Sequence, residues 1–401
     1  MRAEMFANSP TGQLVPIRGT DARQGQWEHA AFVPFPLPDE TPAVTASTFN
    51  EVASARAALS ALDTAARQLP NPRLLRHPTL RREAQSTSAL EGTYAPLRDV
   101  LTAAEDEVGS LALAEVLNYV RAAEYAFDWQ VEGRPLTVGL LSDVQARLVR
   151  GTTSDTPEAG RVRTIQVVIG SDPSAPVTAA RFVPQPPGLG LDHGLRDLLD
   201  WTSADRDPGI DPVVEAALTH YQFETLHPFN DGNGRIGRLL IVLQLLERGV
   251  LSEPTLAVSP WFETRRSEYY DRLFAVSTVG DWDGWVRFFA RGLGESAHGT
   301  REQMAQLLAV QEELRDRVRR SGLRADSAHL LVEFAVANPS FTANDVRDSL
   351  GLSYPRANKL IRQLIDLGAL QQVYPGTYNR RFFAPAVLEV LTAPMAQGPG
   401  R

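Results

Sequence analysis

The stretch that decides the fold reads LHPFNDGNGRIGRLL and runs from Leu226 to Leu240. Within twelve consecutive positions it holds a histidine, an acidic residue, three glycines and two arginines. An apolar helical pattern precedes it at about 211–226, and a Leu- and Ile-rich pattern follows at about 235–248. We therefore predict two helices joined by a short polar loop whose residue types suit chemistry on a phosphate ester.

Two side chains of this loop are suited to group transfer onto a hydroxyl. His227 is neutral near physiological pH and can take the proton that an attacking hydroxyl must lose. Asp231 offers a hard oxygen ligand of the kind that Mg²⁺ prefers, and a divalent cation commonly bridges the oxygens of a triphosphate. Phe229 is expected to anchor the loop in the core and not to contact a substrate.

The glycines and arginines of the loop are suited to holding an anion. The run Gly232-Asn233-Gly234 comes just before the second helix, so backbone N–H groups and the positive end of that helix face a bound anion. Arg235 and Arg238 are three residues apart and project from adjacent positions of the first turn. Arginines there can hold phosphates bidentately, and Gly237 leaves room for a nucleotide to approach.

A simpler interpretation is that DGNG is only a turn and His227 only a loop residue. A Walker-type loop would need GK[ST], which is absent. The whole stretch, however, resembles the signature of the Fic family, HPFx[D/E]GNGRxxR, at every fixed position. The resemblance implies a mainly α fold, namely a Fic-type helical bundle with a small β-hairpin flap. It also implies transfer of AMP from ATP to a protein hydroxyl.

The resemblance gives each position a role. His227 would be the catalytic base, Asp231 would bind Mg²⁺, and Asn233 with the neighbouring backbone would form the anion hole for the α- and β-phosphates. Arg238 would lie nearest the γ-phosphate, and Tyr269 falls where relatives contact the adenine, although a Tyr at helical spacing is more often a core residue. The residues expected to bind ATP are Gly232, Asn233, Gly234, Arg235, Gly237, Arg238 and Tyr269.

A second segment, Thr87-Ser-Ala-Leu-Glu91-Gly92, resembles the inhibitory motif of the family, [S/T]xxxE[G/N]. It lies upstream of the catalytic loop, as in the class whose inhibitory helix is N-terminal. A carboxylate at a helix end can pair with an arginine that would otherwise hold the γ-phosphate. The resemblance thus implies that Glu91 pairs with Arg238 and holds ATP in a non-productive pose, while the simpler interpretation is an exposed helix end.

The segment 160–184 is predicted to form a short hairpin. Residues 163–169 have a β-like pattern, and Arg181-Phe-Val-Pro follows a loose turn. It resembles the family's flap, which docks the target as an added strand through backbone bonds, with Gln166 and Val168 as docking residues. The alternative is an ordinary surface hairpin in which both residues are structural.

Bulk properties narrow the class of protein. The 401 residues suffice for two or three domains, and no apolar run approaches the roughly 20 residues that span a bilayer. There is no cysteine, and the first residues lack the apolar core of a signal peptide, so we expect a cytoplasmic protein. The net charge of −8 argues against a generally basic nucleic-acid binder, although residues 301–401 carry 13 basic and 10 acidic residues.

Most of the remaining chain reads as helix, after an extended arm over residues 1–45 that ends in the proline-rich AFVPFPLPDE. Helical patterns are predicted at 49–68, 78–90, 96–104, 109–130, 136–149, 191–203, 261–277, 281–292 and 296–319. We predict four regions: an N-terminal Fic-associated arm with the inhibitory helix (1–110), a catalytic core (111–300), a linker helix (301–322) and a C-terminal domain (323–395).

The C-terminal region has the pattern of a winged helix-turn-helix domain. Helices are predicted at 327–338, 342–350 with Thr342 as N-cap, and 354–367, followed by a hairpin of 370–373 with 380–383. Arg356, Lys359 and Arg362 share one face of the last helix and could meet DNA phosphates. Winged helices also mediate protein contacts, and the two interpretations stay open.

Three functions follow from these patterns. The first is a protein adenylyltransferase that uses ATP and Mg²⁺, is restrained by Glu91 and modifies a hydroxyl-bearing target protein or itself. The second is a DNA-binding regulator whose Fic core senses a nucleotide, and the third is an enzyme that removes AMP. A homodimer is a further expectation, and no membrane partner is expected.

Overall fold

A computed structural model describes residues 1–21, 25–68, 73–103, 109–170, 177–205, 209–323, 326–374, 376 and 380–394. The chain divides into two compact units. The first unit comprises residues 1–57, 121–250 and 261–294, and the second comprises residues 58–120, 251–260 and 295–401. The fold is mainly helical with small antiparallel sheets, which confirms the predicted fold class.

The described residues form fifteen α-helices, five strands and two short 3-10 helices at Ala3–Phe6 and Val177–Ala179. The helices are α1 (Ala46–Arg67), α2 (Arg73–Leu90), α3 (Leu97–Thr102), α4 (Leu111–Val131), α5 (Val138–Val149), α6 (Leu189–Ser203), α7 (Pro212–Leu226), α8 (Asn233–Glu247), α9 (Ser259–Thr264), α10 (Arg266–Val279), α11 (Trp282–Arg320), α12 (Asp326–Ala337), α13 (Ala343–Leu350), α14 (Tyr354–Asp366) and α15 (Pro385–Thr392). The strands are β1 (Gly12–Asp21), β2 (Gly25–Pro34), β3 (Phe341–Thr342), β4 (Gln371–Gln372) and β5 (Arg381–Phe383).

The expectation of an extended arm over residues 1–45 was wrong for its first part. Strands β1 and β2 pair antiparallel from Gly12 opposite Pro34 to Asp21 opposite Gly25. Glycine weakens a strand and hid this hairpin from the pattern, yet Gly19 lies opposite Trp27, and a Cβ at Gly19 would overlap the indole ring. The glycine thus makes room for a cross-strand aromatic ring.

Two helix boundaries also differ from the prediction. The pattern at 261–277 breaks at Arg265 into α9 and α10, and the two patterns at 281–292 and 296–319 form one helix, α11. Inside α11, a Cβ at Gly292 would lie 2.8 Å from the ring of Trp261. Gly292 therefore permits close packing and does not end the helix. Residues 301–320 of the predicted linker helix form the second half of α11, and the division into four regions stays a prediction.

The C-terminal elements follow the predicted order. Helices α12, α13 and α14 are present, and a three-stranded antiparallel sheet has the order β3-β5-β4. Thr342 caps α13 as predicted, with Asp345 closing a reciprocal capping box. The sequence pattern did not reveal β3 or α15. The winged-helix interpretation of this arrangement stays a prediction.

Helices α7 and α8 pack against each other in the first unit and present the loop 227–232 between them. Both helices are buried on nearly every face, with all residues from Asn233 to Leu245 buried. Helices that are buried on nearly every face lie in the interior of their unit. The loop is therefore held by two elements that have little freedom to move.

Candidate active site

His227 occupies the end of α7 in a left-handed backbone conformation, with φ of 51° and ψ of 60°. It is the one non-glycine residue with positive φ among the described residues. Such a conformation costs on the order of 1–3 kcal/mol and persists where the surroundings hold it. The imidazole Nδ1 lies 3.3 Å from the carbonyl oxygen of Glu224, which can only accept, so Nδ1 carries the proton. The Nε2 lone pair is then the one that can receive a proton.

The loop is closed by the side chain of Asn233, which is 2% exposed. Its Oδ1 accepts the backbone N–H of Phe229 at 2.8 Å, and its Nδ2 donates to the Phe229 carbonyl at 2.7 Å. Both amide atoms of the side chain are used within the loop. The part of Asn233 in an anion hole stays a prediction, and of its groups the backbone N–H is the one suited to it. The ring of Phe229 is fully buried and anchors the loop, as predicted.

Asp231 and Arg235 form an ion pair at the start of α8. Arg235 Nη2 lies 3.2 Å from Asp231 Oδ1, and the same oxygen accepts the N–H of Gly232 at 2.6 Å. Burial alone would raise the pKa of Asp231, but the Arg235 charge and hydrogen bonds from Ser154 and Gly232 outweigh it and hold the pKa below 3.8. The carboxyl group is therefore ionised at neutral pH.

The first turn of α8 has the features of an anion site. Gly232 begins it in a left-handed conformation, and the first N–H groups of a helix have no acceptor within the helix. Arg235 is 4% exposed, and its Nε has no hydrogen-bond partner among the residues that the structure describes. A buried, partly unsatisfied guanidinium beside unsatisfied N–H groups favours an anionic ligand.

Gly237 has a packing role that differs from the predicted one. A Cβ at this position would overlap Oε1 of Glu224 and lie 3.2 Å from Cδ1 of Phe223. Both contacts come from α7, so Gly237 allows α7 and α8 to approach, and its place in ATP binding stays a prediction. Arg238 follows on the same helix and is 1% exposed.

Tyr269 is fully buried. Its hydroxyl lies 2.7 Å from Nε2 of His220, whose Nδ1 lies 2.9 Å from the Gly237 carbonyl. Burial lowers the pKa of His220 to about 3. The hydrogen bond to the Gly237 carbonyl raises this pKa, and the charge of Arg238 lowers it further. The imidazole is thus neutral, donates to Gly237 and accepts from Tyr269. Sequence patterns did not single out His220, because a histidine in an apolar helix carries no motif.

The flap is shorter than the predicted hairpin. Within the part of the segment that is described, strand pairing is limited to one bridge between Ile169 and Phe182, and residues 171–176 lie outside the described residues. Gln166 Nε2 donates to the carbonyl of Pro184 at 2.9 Å, and Val168 is 38% exposed. Gln166 therefore has a structural contact, Val168 faces solvent, and target docking by both stays a prediction.

The N-terminal hairpin supports this flap. Met1, Phe6 and Phe32 form a buried cluster with Phe182 and Val183, and Phe32 N–H donates to the Val183 carbonyl at 2.9 Å. The sequence gave no sign of this contact, since it joins the first residues to a segment about 150 positions later. The N-terminal residues thus pack against one side of the flap.

Arg163, also unnoticed in the sequence, joins the flap to the catalytic loop. Its side chain is 2% exposed, its Nε donates to the His227 carbonyl at 2.8 Å, and its backbone N–H donates to the Pro228 carbonyl at 2.9 Å. Gln145 gives the loop a further contact, since its Nε2 donates to the Asp231 carbonyl at 3.1 Å.

The predicted inhibitory motif lies in the second unit, at the end of α2. Thr87 is fully buried, and Glu91 is exposed just after the last helical residue, Leu90. Gly92 has a φ of 93°, which ends the helix. The predicted pair of Glu91 with Arg238 stays a prediction.

Among the described residues, no group of three or more His, Asp or Glu side chains is placed to hold a metal ion by itself. Mg²⁺ is commonly held by one or two carboxylates with phosphate oxygens and water, so the ionised Asp231 fits that type of donor set. None of the described helices is both long and apolar enough to cross a membrane.

Comparison with known proteins agrees with this site. Residues 49–128 match the family model for the Fic/DOC family N-terminal region, and residues 135–245 match the Fic/DOC family model. A solved structure of a Fic family protein from Desulfovibrio desulfuricans G20 covers 91% of this chain and 100% of its own, with a TM-score of 0.53 and 23% identity, which shows a shared fold. The chain contains a Fic N-terminal domain followed by a Fic domain, as the loop signature predicted.

Curated relatives match the same part of the chain. Protein adenylyltransferase fic-1 of Caenorhabditis elegans is 38% identical over 138 residues, which is 34% of this chain and 24% of that protein. Protein adenylyltransferase Fic of Drosophila willistoni is 30% identical over 177 residues, which is 44% of this chain and 31% of that protein. The chain thus spans about a quarter to a third of the length of these relatives.

Proposed function

We propose that the protein transfers AMP from ATP to a hydroxyl side chain of a target protein, with Mg²⁺, and releases pyrophosphate. The observation that carries the proposal is His227, whose Nδ1 faces a carbonyl oxygen 3.3 Å away, so that Nε2 is the basic nitrogen. It lies in the same loop as the turn of α8 that holds the buried Arg235. The names of the relatives as protein adenylyltransferases support the same reaction.

The chemistry assigns a step to each group. The target hydroxyl gives its proton to Nε2 of His227, and its oxygen forms a bond to the α-phosphorus as the bond to the β-phosphate oxygen breaks. Backbone N–H groups of Asn233 and Gly234 stabilise the charge that develops on the phosphate oxygens. Arg235 and Arg238 hold the triphosphate. Asp231 would hold Mg²⁺, which supplies neutralisation of phosphate charge when bound.

We also propose that the site is restrained by Glu91 through Arg238. The support is the fixed position of α2, which is bonded on several sides within the second unit. Arg82 donates to the carbonyls of Leu391 and Ala393 at the end of α15, at 2.9 and 3.1 Å. Glu83 accepts the N–H of Ser259 at 2.9 Å. A helix so anchored presents its terminal carboxylate at a defined place, which an inhibitory contact needs.

Incubation with ATP labelled at the α- or the γ-phosphate tests both proposals. AMP transfer puts the α-label on protein and leaves the γ-label in pyrophosphate. His227→Ala should abolish the α-label, and Glu91→Gly should increase it. Asp366→Asn, which removes an exposed carboxylate elsewhere in the second unit, serves as the control for Glu91. Label from the γ-position on protein would contradict AMP transfer, and an unchanged Glu91→Gly rate would contradict the restraint.

The same assay separates the alternative of AMP removal. A protein that carries AMP from the first reaction is purified and returned to the enzyme without ATP. Release of AMP that needs Glu91 would show that this carboxylate positions a water for hydrolysis, and that removal is the favoured direction. A label that persists supports transfer. The target side chain, Ser, Thr or Tyr, in another protein or in this chain, is read from the labelled peptide. We also propose that the reaction takes place in the cytoplasm.

As a second function, we propose that the C-terminal elements form a winged helix that binds duplex DNA. The support is the exposed face of α14, where Arg356, Lys359 and Arg362 follow at intervals of three residues. None of the three forms an ion pair within the described part of the chain, and the single acidic residue of α14 is Asp366 at its end. Unpaired cations along one helix face suit phosphate contacts.

Fluorescence anisotropy with a labelled random-sequence duplex tests this function. Three phosphate contacts predict that log Kd rises with log salt concentration with a slope of about 2.7. Lys359→Ala should weaken binding and reduce this slope by about 1. Arg347→Ala is the matched control, since Arg347 lies in the same module but pairs with Asp348 at 2.6 Å. An equal loss of DNA affinity in Lys359→Ala and Arg347→Ala would refute the DNA site, as would the absence of binding at low salt. Either result would favour a protein partner or a homodimer.

A further inference from the structure

We infer that Arg163 is the positioning residue for the catalytic histidine, an inference that rests on the proposed AMP transfer. It would act without contacting ATP or the target, by fixing the backbone of the loop that carries His227. The carrying observation is that one guanidinium spans the flap and the catalytic loop.

The guanidinium of Arg163 is satisfied by carbonyl oxygens on both sides. On one side it donates to the carbonyls of His227 at 2.8 Å and of Leu226, the last residue of α7, at 3.3 Å. From the flap side it binds the carbonyl of Ile165 at 3.0 Å and that of Gln185. Among the described residues, no carboxylate pairs with the Arg163 guanidinium. Its hydrogen bonds therefore go to backbone carbonyl oxygens alone. A planar fork of donors can serve several acceptors at fixed angles, which a lysine ammonium cannot reproduce.

The guanidinium of Arg163 keeps its positive charge although burial disfavours the charged form. The side chain is 2% exposed, and burial lowers the pKa of its guanidinium to about 10, which still leaves it charged at neutral pH. Hydrogen bonds from a charged donor are roughly twice as strong as neutral ones. Such bonds suit a backbone that must be held in an unfavourable conformation, and His227 is in the left-handed region.

The effect reaches the imidazole through the backbone. With its carbonyl bonded to Arg163 and its N–H bonded to the Phe223 carbonyl at 2.9 Å, His227 has both peptide groups fixed. The ring is then held with Nδ1 toward the Glu224 carbonyl, which selects the tautomer with a basic Nε2. Without the guanidinium, the His227 carbonyl loses its donor and the imidazole is no longer held in one orientation. The hydrogen bonds of Asn233, which close the turn before α8, are kept.

The test compares Arg163→Gln and Arg163→Lys with Arg161→Gln. Arg161 is exposed and lies two residues away on the same segment, so it controls for the loss of one charge. We expect kcat to fall about 100-fold in Arg163→Gln, the cost of a misplacement of about 1 Å. The Kd for ATP, measured by calorimetry, should change less than about twofold. The kcat of Arg163→Lys should lie between those of Arg163→Gln and the unchanged protein. The kcat of Arg161→Gln should equal that of the unchanged protein.

The tautomer of the His227 imidazole can be measured without any AMP transfer and provides a second test. Long-range ¹H–¹⁵N spectra report the imidazole tautomer, and His227→Ala identifies the His227 signals. We expect the Nδ1–H form in the unchanged protein and a mixture of tautomers in Arg163→Gln. An unchanged tautomer with unchanged kcat would overturn the inference, as would parallel loss of ATP binding and kcat, which would mean a general structural role. A shifted tautomer in a protein that transfers no AMP would overturn the proposed function instead and leave the role of Arg163 supported.

Discussion

Replacement of Asn233 by alanine tests whether the catalytic loop is held in place before substrate binds. The substitution removes the bonds of 2.8 and 2.7 Å to the backbone N–H and carbonyl of Phe229. Phe229 is fully buried, so water cannot readily replace either partner. Each buried backbone group left unsatisfied costs about 1–3 kcal/mol, so for the two groups we expect the free energy of unfolding to fall by about 2–6 kcal/mol.

The same loss should reduce catalysis. If about 1.4–3 kcal/mol of loop ordering must be restored in the transition state, the rate of AMP transfer falls about 10- to 100-fold. Urea denaturation gives the free energy of unfolding, and the α-label assay gives the rate. Asn233→Asp keeps the acceptor for the Phe229 N–H and loses the donor, so its stability should be intermediate. Asn230→Ala, at an exposed position of the same loop, is the control. Equal stability and rate in Asn233→Ala and Asn230→Ala would refute the reasoning.

Three further changes probe the supports of the site. Gly237→Ala should lower the free energy of unfolding by about 1–3 kcal/mol in urea denaturation, because its Cβ would overlap Glu224, whereas Gly139→Ala in α5 should not; equal effects would contradict the packing role. Unfolding free energy should fall by about 1.4 kcal/mol per pH unit below pH 6.5, because the unfolded chain takes up a proton that His220, with a pKa of about 3, does not. His220→Gln should remove this slope, and an unchanged slope would place the titration elsewhere. Arg82→Gln should raise AMP transfer by loosening α2 from α15, and a rate equal to that of the unchanged protein would show that this anchor does not affect the restraint.

Much of the site was readable from the sequence because its signal is local. The catalytic loop needs a histidine, an acid, glycines and arginines at fixed short spacings, and a helical pattern on each side gives its place. Most of the predicted helices are present for the same reason, since their apolar period is a property of consecutive residues, whereas the boundaries within α9, α10 and α11 were wrong. The hairpin β1–β2 was missed where Gly12 and Gly19 broke that local pattern to accommodate rings from the facing strand.

The sequence alone thus indicated the family and singled out the candidate residues of the loop, namely His227, Asp231, Arg235 and Arg238. Tertiary structure decided how those residues are held. Arg163 meets the His227 carbonyl across 64 positions of chain. The physical reason is that a buried backbone oxygen must find a donor, and no spacing in the sequence shows which distant side chain will supply it.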